Sequence, residues 1–212
     1  MLTKACVPIF VSIFAHTYLV NASKYMINRF GDETLQSFYN MLYLPVSVIN
    51  MLAIIVFFPM MTNLSVIWEK KDYERTINRI KKIVLLIACV SAFVFAIGVL
   101  IGIPFLEIVY NQTLTDYKYC FNVLLIGGGC ISISGFLNKV LVMLRKQNIL
   151  IYIYVLCALA EMVISWILTK RYSIYGASIA YVAGTFILMI LLGGYLMYYF
   201  KRIPIYNKKE RK

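Results

Sequence analysis

The chain has 212 residues, 62% of them hydrophobic and 14% charged, with a formal net charge of +12 and a mean hydropathy of +0.80. A water-soluble domain of this size cannot hide so much apolar surface, because the buried fraction rises slowly with length, whereas a bilayer can absorb it. The positive charge is gathered into segments between apolar runs, which fits a membrane orientation signal and excludes a nucleic-acid partner.

About 20 mostly apolar residues cross roughly 30 Å of hydrocarbon as a helix. Six runs meet this length, at about 5–26, 41–61, 83–103, 121–144, 149–169 and 175–200. The first follows Lys4, yet it is too long for a secretory leader and has no small-x-small cleavage site at its end. It is expected to be a membrane helix. It closes in "TYLVNASKYMINRF", where Thr17, Asn21, Lys24 and Asn28 share one helical face and Arg29 points elsewhere. A polar seam on a spanning helix should face protein or water, since a charge at bilayer depth costs on the order of several kcal/mol. Snorkelling stems are an alternative for Lys24 and Arg29, but they do not account for the asparagines. His16, the single histidine, is either a proton-titrating group or a hydrogen-bonding one.

After the second run comes "WEKKDYERTINRIKK", an amphipathic charged segment expected at the cytoplasmic membrane surface among anionic lipids. The third run leads into "IPFLEIVY", residues 103–110. This patch is too short to span and is expected as an interfacial turn of helix. Pro8, Pro45, Pro59 and Pro104 are expected to break or bend helices at their ends. On the fourth run Gly128, Ser132 and Lys139 share a face. Lys139 either snorkels or faces inward, where Glu161 would be its partner. Glu161, in "CALAEMVISW" of the fifth run, falls near mid-membrane. It must be protonated, paired or wetted, as an ion-coupling site or as a neutral carboxyl bonded within the bundle. Tyr152, Tyr154, Tyr172, Tyr175, Tyr198 and Tyr199 suit an interfacial belt. Tyr25 and Tyr39 suit a cavity wall.

If all six runs cross, Lys70, Lys71, Arg75, Arg79, Lys81 and Lys82 fall on one side with Arg145, Lys146 and the basic C-terminal residues. The opposite loops hold far fewer cations. This asymmetry puts both termini in the cytoplasm. Residues 1–201 then form a six-helix transmembrane lobe, and 202–212 a basic cytoplasmic tail. The five cysteines have no paired spacing, so they are expected as apolar fillers and not as disulfides or metal ligands. There is no GxxxxGK[ST] loop and no Ser-His-Asp set. "GGGCISISG" lies inside an apolar run, where small residues let helices approach. Neither an enzyme, catalytic residues, a cofactor nor a metal is expected.

The order "NASKYMINRF", "GDE", "FYNMLYLPVSVINML", "FFPMMTNLSVIWEKKDYERTINRIKK", "GIPFLEIVYNQTLTDYKYCFNVLLIGGG", "VLVMLRKQNILI" and "YSIYGASIAYVAG" resembles the C-terminal half of bacterial polysaccharide and lipopolysaccharide biosynthesis membrane proteins. These belong to the multidrug, oligosaccharidyl-lipid and polysaccharide flippase superfamily. The resemblance implies an all-α membrane bundle, one lobe of a two-lobe fold. It also implies alternating access that moves undecaprenyl-diphosphate-linked oligosaccharide across the bacterial cytoplasmic membrane. It assigns Lys24, Asn21, Asn28, Thr17 and Arg29 to the substrate, with cations meeting the diphosphate. Glu161, Lys139 and His16 become possible ion-coupling or cavity residues. The implied partners are lipid-linked oligosaccharide, membrane lipids, and either a missing N-terminal lobe or a second copy, because the chain matches one lobe only. A lone monomer is expected to be inactive. The alternatives are a membrane-embedded enzyme or scaffold subunit of envelope polysaccharide synthesis, or a drug/cation exporter of the same superfamily with acidic cavity residues.

Overall fold

The computed structural model describes the backbone of residues 2–209 and the side chains of residues 10–202, residue 12 aside. Cys6, Pro8 and most of the basic tail therefore lie outside the described side chains. The described residues form helices and short connections: α1 (Leu2–Phe30), α2 (Glu33–Glu69), α3 (Tyr73–Ile97), α4 (Ile103–Tyr110), α5 (Lys118–Met143) and α6 (Gln147–Lys209).

Among the described residues, four stretches are long and apolar enough to cross a membrane: Glu33–Glu69, Tyr73–Tyr110, Thr115–Met143 and Gln147–Arg202. The sequence reading expects six. The difference arises at two places. The first run, 5–26, lies partly outside the described side chains, and α6 counts once although its helical backbone is interrupted at Ser173, with φ 51° and ψ −131°. Beyond that residue the chain doubles back. A methyl group at Gly176 would overlap the Leu168 carbonyl, and one at Gly184 would overlap the Glu161 carboxyl. Those two pairs bracket Ser173 at matching distances, as two antiparallel arms require.

The patch 103–110 is not a separate interfacial turn. It continues α3 through a wider turn, Gly98–Gly102, whose flanking residues keep helical dihedrals. Pro104 has no N–H and crowds the carbonyl one turn back, and a locally widened helix accommodates it without ending. Gly98 and Gly102 also let Leu125 and Phe121 of α5 lie against the α3 backbone. Nor do Pro45 and Pro59 sit at helix ends; both lie inside α2. The helix carries on because Leu42, Val46, Ile49, Ala53, Phe57 and Leu64 form one buried stripe along it. Packing of that stripe, against α5 and α3 above all, outweighs the hydrogen bonds the prolines remove.

Two apolar cores stack along the bundle. One gathers Leu19, Leu64, Ile83, Leu141, Ala158 and Leu188. The other gathers Ile27, Tyr39, Leu106, Phe121, Ile174 and Tyr181. Along α1 and both arms of α6, the buried polar residues Ser23, Glu161, Ser165 and Thr185 fall between the two cores.

Candidate functional site

That intervening layer is built from α1, α2 and α6. Glu161 is fully buried on the first arm of α6, as are Ser23 on α1 and Ser165 one turn beyond Glu161. The Ser23 hydroxyl donates to Glu161 Oε1 at 3.0 Å, and the Ser165 hydroxyl reaches Ser23 Oγ at 3.5 Å. Among the described residues, Glu161 Oε2 has no hydrogen-bond partner, and neither does the hydroxyl of fully buried Tyr39. The carboxyl is admitted because the second arm presents glycine at 184, and any side chain there would occupy its place. Ala177, Ala180 and Gly184 follow the spacing that puts small residues on one helical face. The site thus has a physical cause in the sequence: a face without bulk on one arm makes room for an acid on the other.

From this layer aromatic side chains lead outward. The Tyr39 and Tyr43 rings stack at 6.4 Å, and Tyr43 meets Tyr181 edge-on at 5.4 Å. The Tyr43 and Tyr181 hydroxyls are 3.4 Å apart. Half-buried Lys24 closes the series with its Nζ 3.9 Å from the centre of the Tyr43 ring. A cation over a π-face gains electrostatic attraction without an anion, so Lys24 is held at the edge of the bundle without a carboxylate contact.

The remaining seam residues turn away. Thr17 and Asn28 are exposed, and Asn21 is half-buried with its amide donating back to the Thr17 carbonyl at 2.8 Å. The face of α1 that is buried carries Ala15, Leu19, Ala22, Ser23, Met26 and Ile27. On a helix that set lies roughly opposite Thr17, Asn21, Lys24 and Asn28. Arg29 is exposed and stacks on Trp166 of α6, 4.7 Å from its ring.

His16 and Lys139 come together in a separate cleft of about 340 Å³, with Asn50, Asn138 and Gln147. The His16 ring meets Tyr154 edge-on at 5.6 Å. Lys139 is exposed although it shares a helical face with buried Gly128 and Ser132. It does not meet Glu161, whose carboxyl is taken by Ser23. Two tyrosine assignments also change. Tyr154 is fully buried and not in an interfacial belt, because it lies two turns before Glu161 on the same inward face. Tyr39 is fully buried in the second core. Sequence reading missed Ser23, Tyr43, Ser165, Tyr181 and Gly184. The four-residue spacings Tyr39–Tyr43 and Glu161–Ser165 were the available signal.

No family model, curated protein or solved structure matches this chain. Among the described residues there is no group of histidine, cysteine and acidic side chains that could hold a metal ion. What the layer can do chemically is hold a carboxyl group, with one free oxygen, inside an apolar bundle.

Proposed function

We propose that the chain is one lobe of a membrane flippase for lipid-linked oligosaccharide, with the Thr17–Asn28 seam facing a wet cavity shared with a second lobe. One observation carries this reading: the seam lies on the side of α1 opposite its own core, with Lys24 preset on Tyr43 at the bundle edge. Amides and an ammonium on that surface are unfavourable against acyl chains and favourable against water, sugar hydroxyls or a diphosphate. The reading takes six crossings: α1, α2, α3 with α4, α5, and the two arms of α6. Each arm exceeds the roughly 20 residues a crossing needs. Both termini are then cytoplasmic. Glu161 serves inside the lobe, as a coupling or structural group, and not on the seam. That disfavours a cation exporter, which needs its acids at the shared cavity.

Two measurements test this. Cysteines placed singly at Thr17, Asn21 and Asn28 should react with a water-soluble maleimide in membranes containing the second lobe. Cysteines at Phe93 and Leu100, exposed apolar positions on the Tyr73–Tyr110 span, should react far more slowly. Translocation of a fluorescent polyprenyl-diphosphate sugar in proteoliposomes should survive Lys24→Arg and fail in Lys24→Met. Seam cysteines that stay unreactive, or full transport by the lone monomer, would refute the proposal.

A further inference from the structure

At the basic end of the bundle, the α2–α3 turn and the end of α5 enclose a second recess of about 570 Å³. Ser65, Trp68, Glu69, Lys71, Tyr73 and Arg145 are among its lining residues. It shares no residue with the layer around Glu161 or with the seam.

The two cations reach the recess by the same backbone device. α2 ends at Glu69, and the Lys71 N–H turns back to the Trp68 carbonyl at 2.9 Å with Lys71 at φ 58°. α5 ends at Met143, and the Arg145 N–H turns back to the Val142 carbonyl at 2.9 Å with Arg145 at φ 57°. The Lys146 N–H closes the second cap on Leu141. This is the helix-ending position that glycine fills most cheaply, because a side chain is strained in the left-handed region. At both ends the chain carries a long cation there instead. Cations also complement helix C-termini, but Lys70 and Lys146, the immediate neighbours, already supply that charge. Complementing the dipole does not require the strained position.

Beside the cations stands an aromatic wall. The Trp68 and Tyr73 rings meet at 5.3 Å, and Phe200 closes on Trp68 at 6.3 Å. A pocket of this volume takes a small organic headgroup. Indole and phenol suit the boundary between headgroups and acyl chains, and Lys71 and Arg145 outnumber Glu69, leaving a net positive lining. We propose that the recess is a binding site for the phosphate of an anionic glycerophospholipid, gripped between Lys71 and Arg145 against Trp68. It fixes the depth of the α2–α3 turn and the end of α5 in the membrane surface. This inference does not depend on flippase activity.

The test uses the full chain in detergent micelles with Trp166→Phe, which leaves Trp68 as the only tryptophan of the two present. Short-chain phosphatidylglycerol should give a saturable change in Trp68 fluorescence. Lys71→Gly and Arg145→Gly should each weaken it by about fivefold, the usual effect of one basic residue near an anionic surface. Because glycine relieves the left-handed strain, both variants should melt no lower than the parent, which separates a lost site from a lost fold. Lys82→Gln, a cation outside the recess, should change nothing. Phosphatidylcholine saturating as tightly as phosphatidylglycerol would overturn the proposal. So would inorganic phosphate producing the same change at the same concentration, which would mark a free-anion site, or unaltered affinity in folded Lys71→Gly and Arg145→Gly proteins.

Discussion

Gly184→Ala is the sharpest probe of the buried acid. A methyl group at 184 would stand 2.7 Å from Glu161 Cδ and 3.3 Å from its Cβ. The carboxyl would have to swing away and give up the 3.0 Å bond from Ser23. Losing a hydrogen bond to a buried carboxyl costs about 1–3 kcal/mol. Overpacking by one methyl in a close-packed interface adds about 1–3 kcal/mol. Alanine's better helix propensity returns about 1 kcal/mol. The net expectation is destabilisation of about 1–5 kcal/mol, the balance of those contributions. In a Glu161→Ala background the carboxyl is gone and only the 3.3 Å approach to Cβ remains. There Gly184→Ala should be neutral or stabilising by up to about 1 kcal/mol. The assay is reversible unfolding in mixed micelles titrated with sodium dodecyl sulfate, followed by helical circular dichroism, for all four members of the cycle. If Gly184→Ala costs the same with and without the carboxyl, the claimed contact does not exist.

Three further outcomes are expected. Ser173→Gly should raise stability in the same titration by about 1 kcal/mol, because φ 51° with ψ −131° is glycine territory; a loss would mean the arms are not joined by this turn. Tyr43→Phe keeps the ring under Lys24 and should cost less than about 1 kcal/mol, whereas Tyr43→Leu removes the π-face and should cost about 1 kcal/mol more; equal costs would show that the ring contributes only bulk. Glu107 Oε1 accepts from the Leu114 N–H and the Thr115 hydroxyl, both at 2.7 Å. Glu107→Ala should therefore speed hydrogen exchange at residues 111–117 by about fivefold or more, with the rest of the bundle unchanged.

Helix and membrane character were legible because apolar run length is a local property of the chain. The all-helical outcome follows from it directly. Break points were less legible. Pro45 and Pro104 carry the usual signal for an interrupted helix, yet what decides their fate is a buried stripe on α2 and an α5 leucine and phenylalanine seated on two glycines. These are contacts between elements, which no window along the sequence contains. Conversely, nothing around "RYSIYG" announces that Ser173 takes a conformation normally left to glycine. At the site, Glu161 was found because an acid in an apolar run is expensive wherever it points. Ser23 was overlooked beside Lys24 because a serine is cheap on any face. Its role exists only through the approach of α1 to α6. Lys139 reads two ways in the sequence, as a snorkelling stem or as an inward partner of Glu161; the fold leaves it exposed beside His16's cleft, since a shared helical face does not fix which neighbour lies at which level.

α1 joins these observations. Ser23 faces inward to Glu161, and Lys24, the next residue, faces outward over Tyr43. A single helix therefore carries polar groups at one level on both sides. A helix that is apolar all round is stable in lipid, and one with a single polar side can turn it to its own bundle. α1 can do neither, because its inner face is already occupied by the Glu161 layer. On the proposed function, its outer face meets a second lobe, a second copy or a water-filled groove. Any rotation of α1 that changed the outer contacts would also move Ser23 against the carboxyl, since both are fixed to the same turn of backbone. On the proposed function, α1 is then one element through which a proton or ion held at Glu161 could be coupled to a ligand on the seam, and in the Ser23→Ala protein such coupling should weaken while both end groups remain in place.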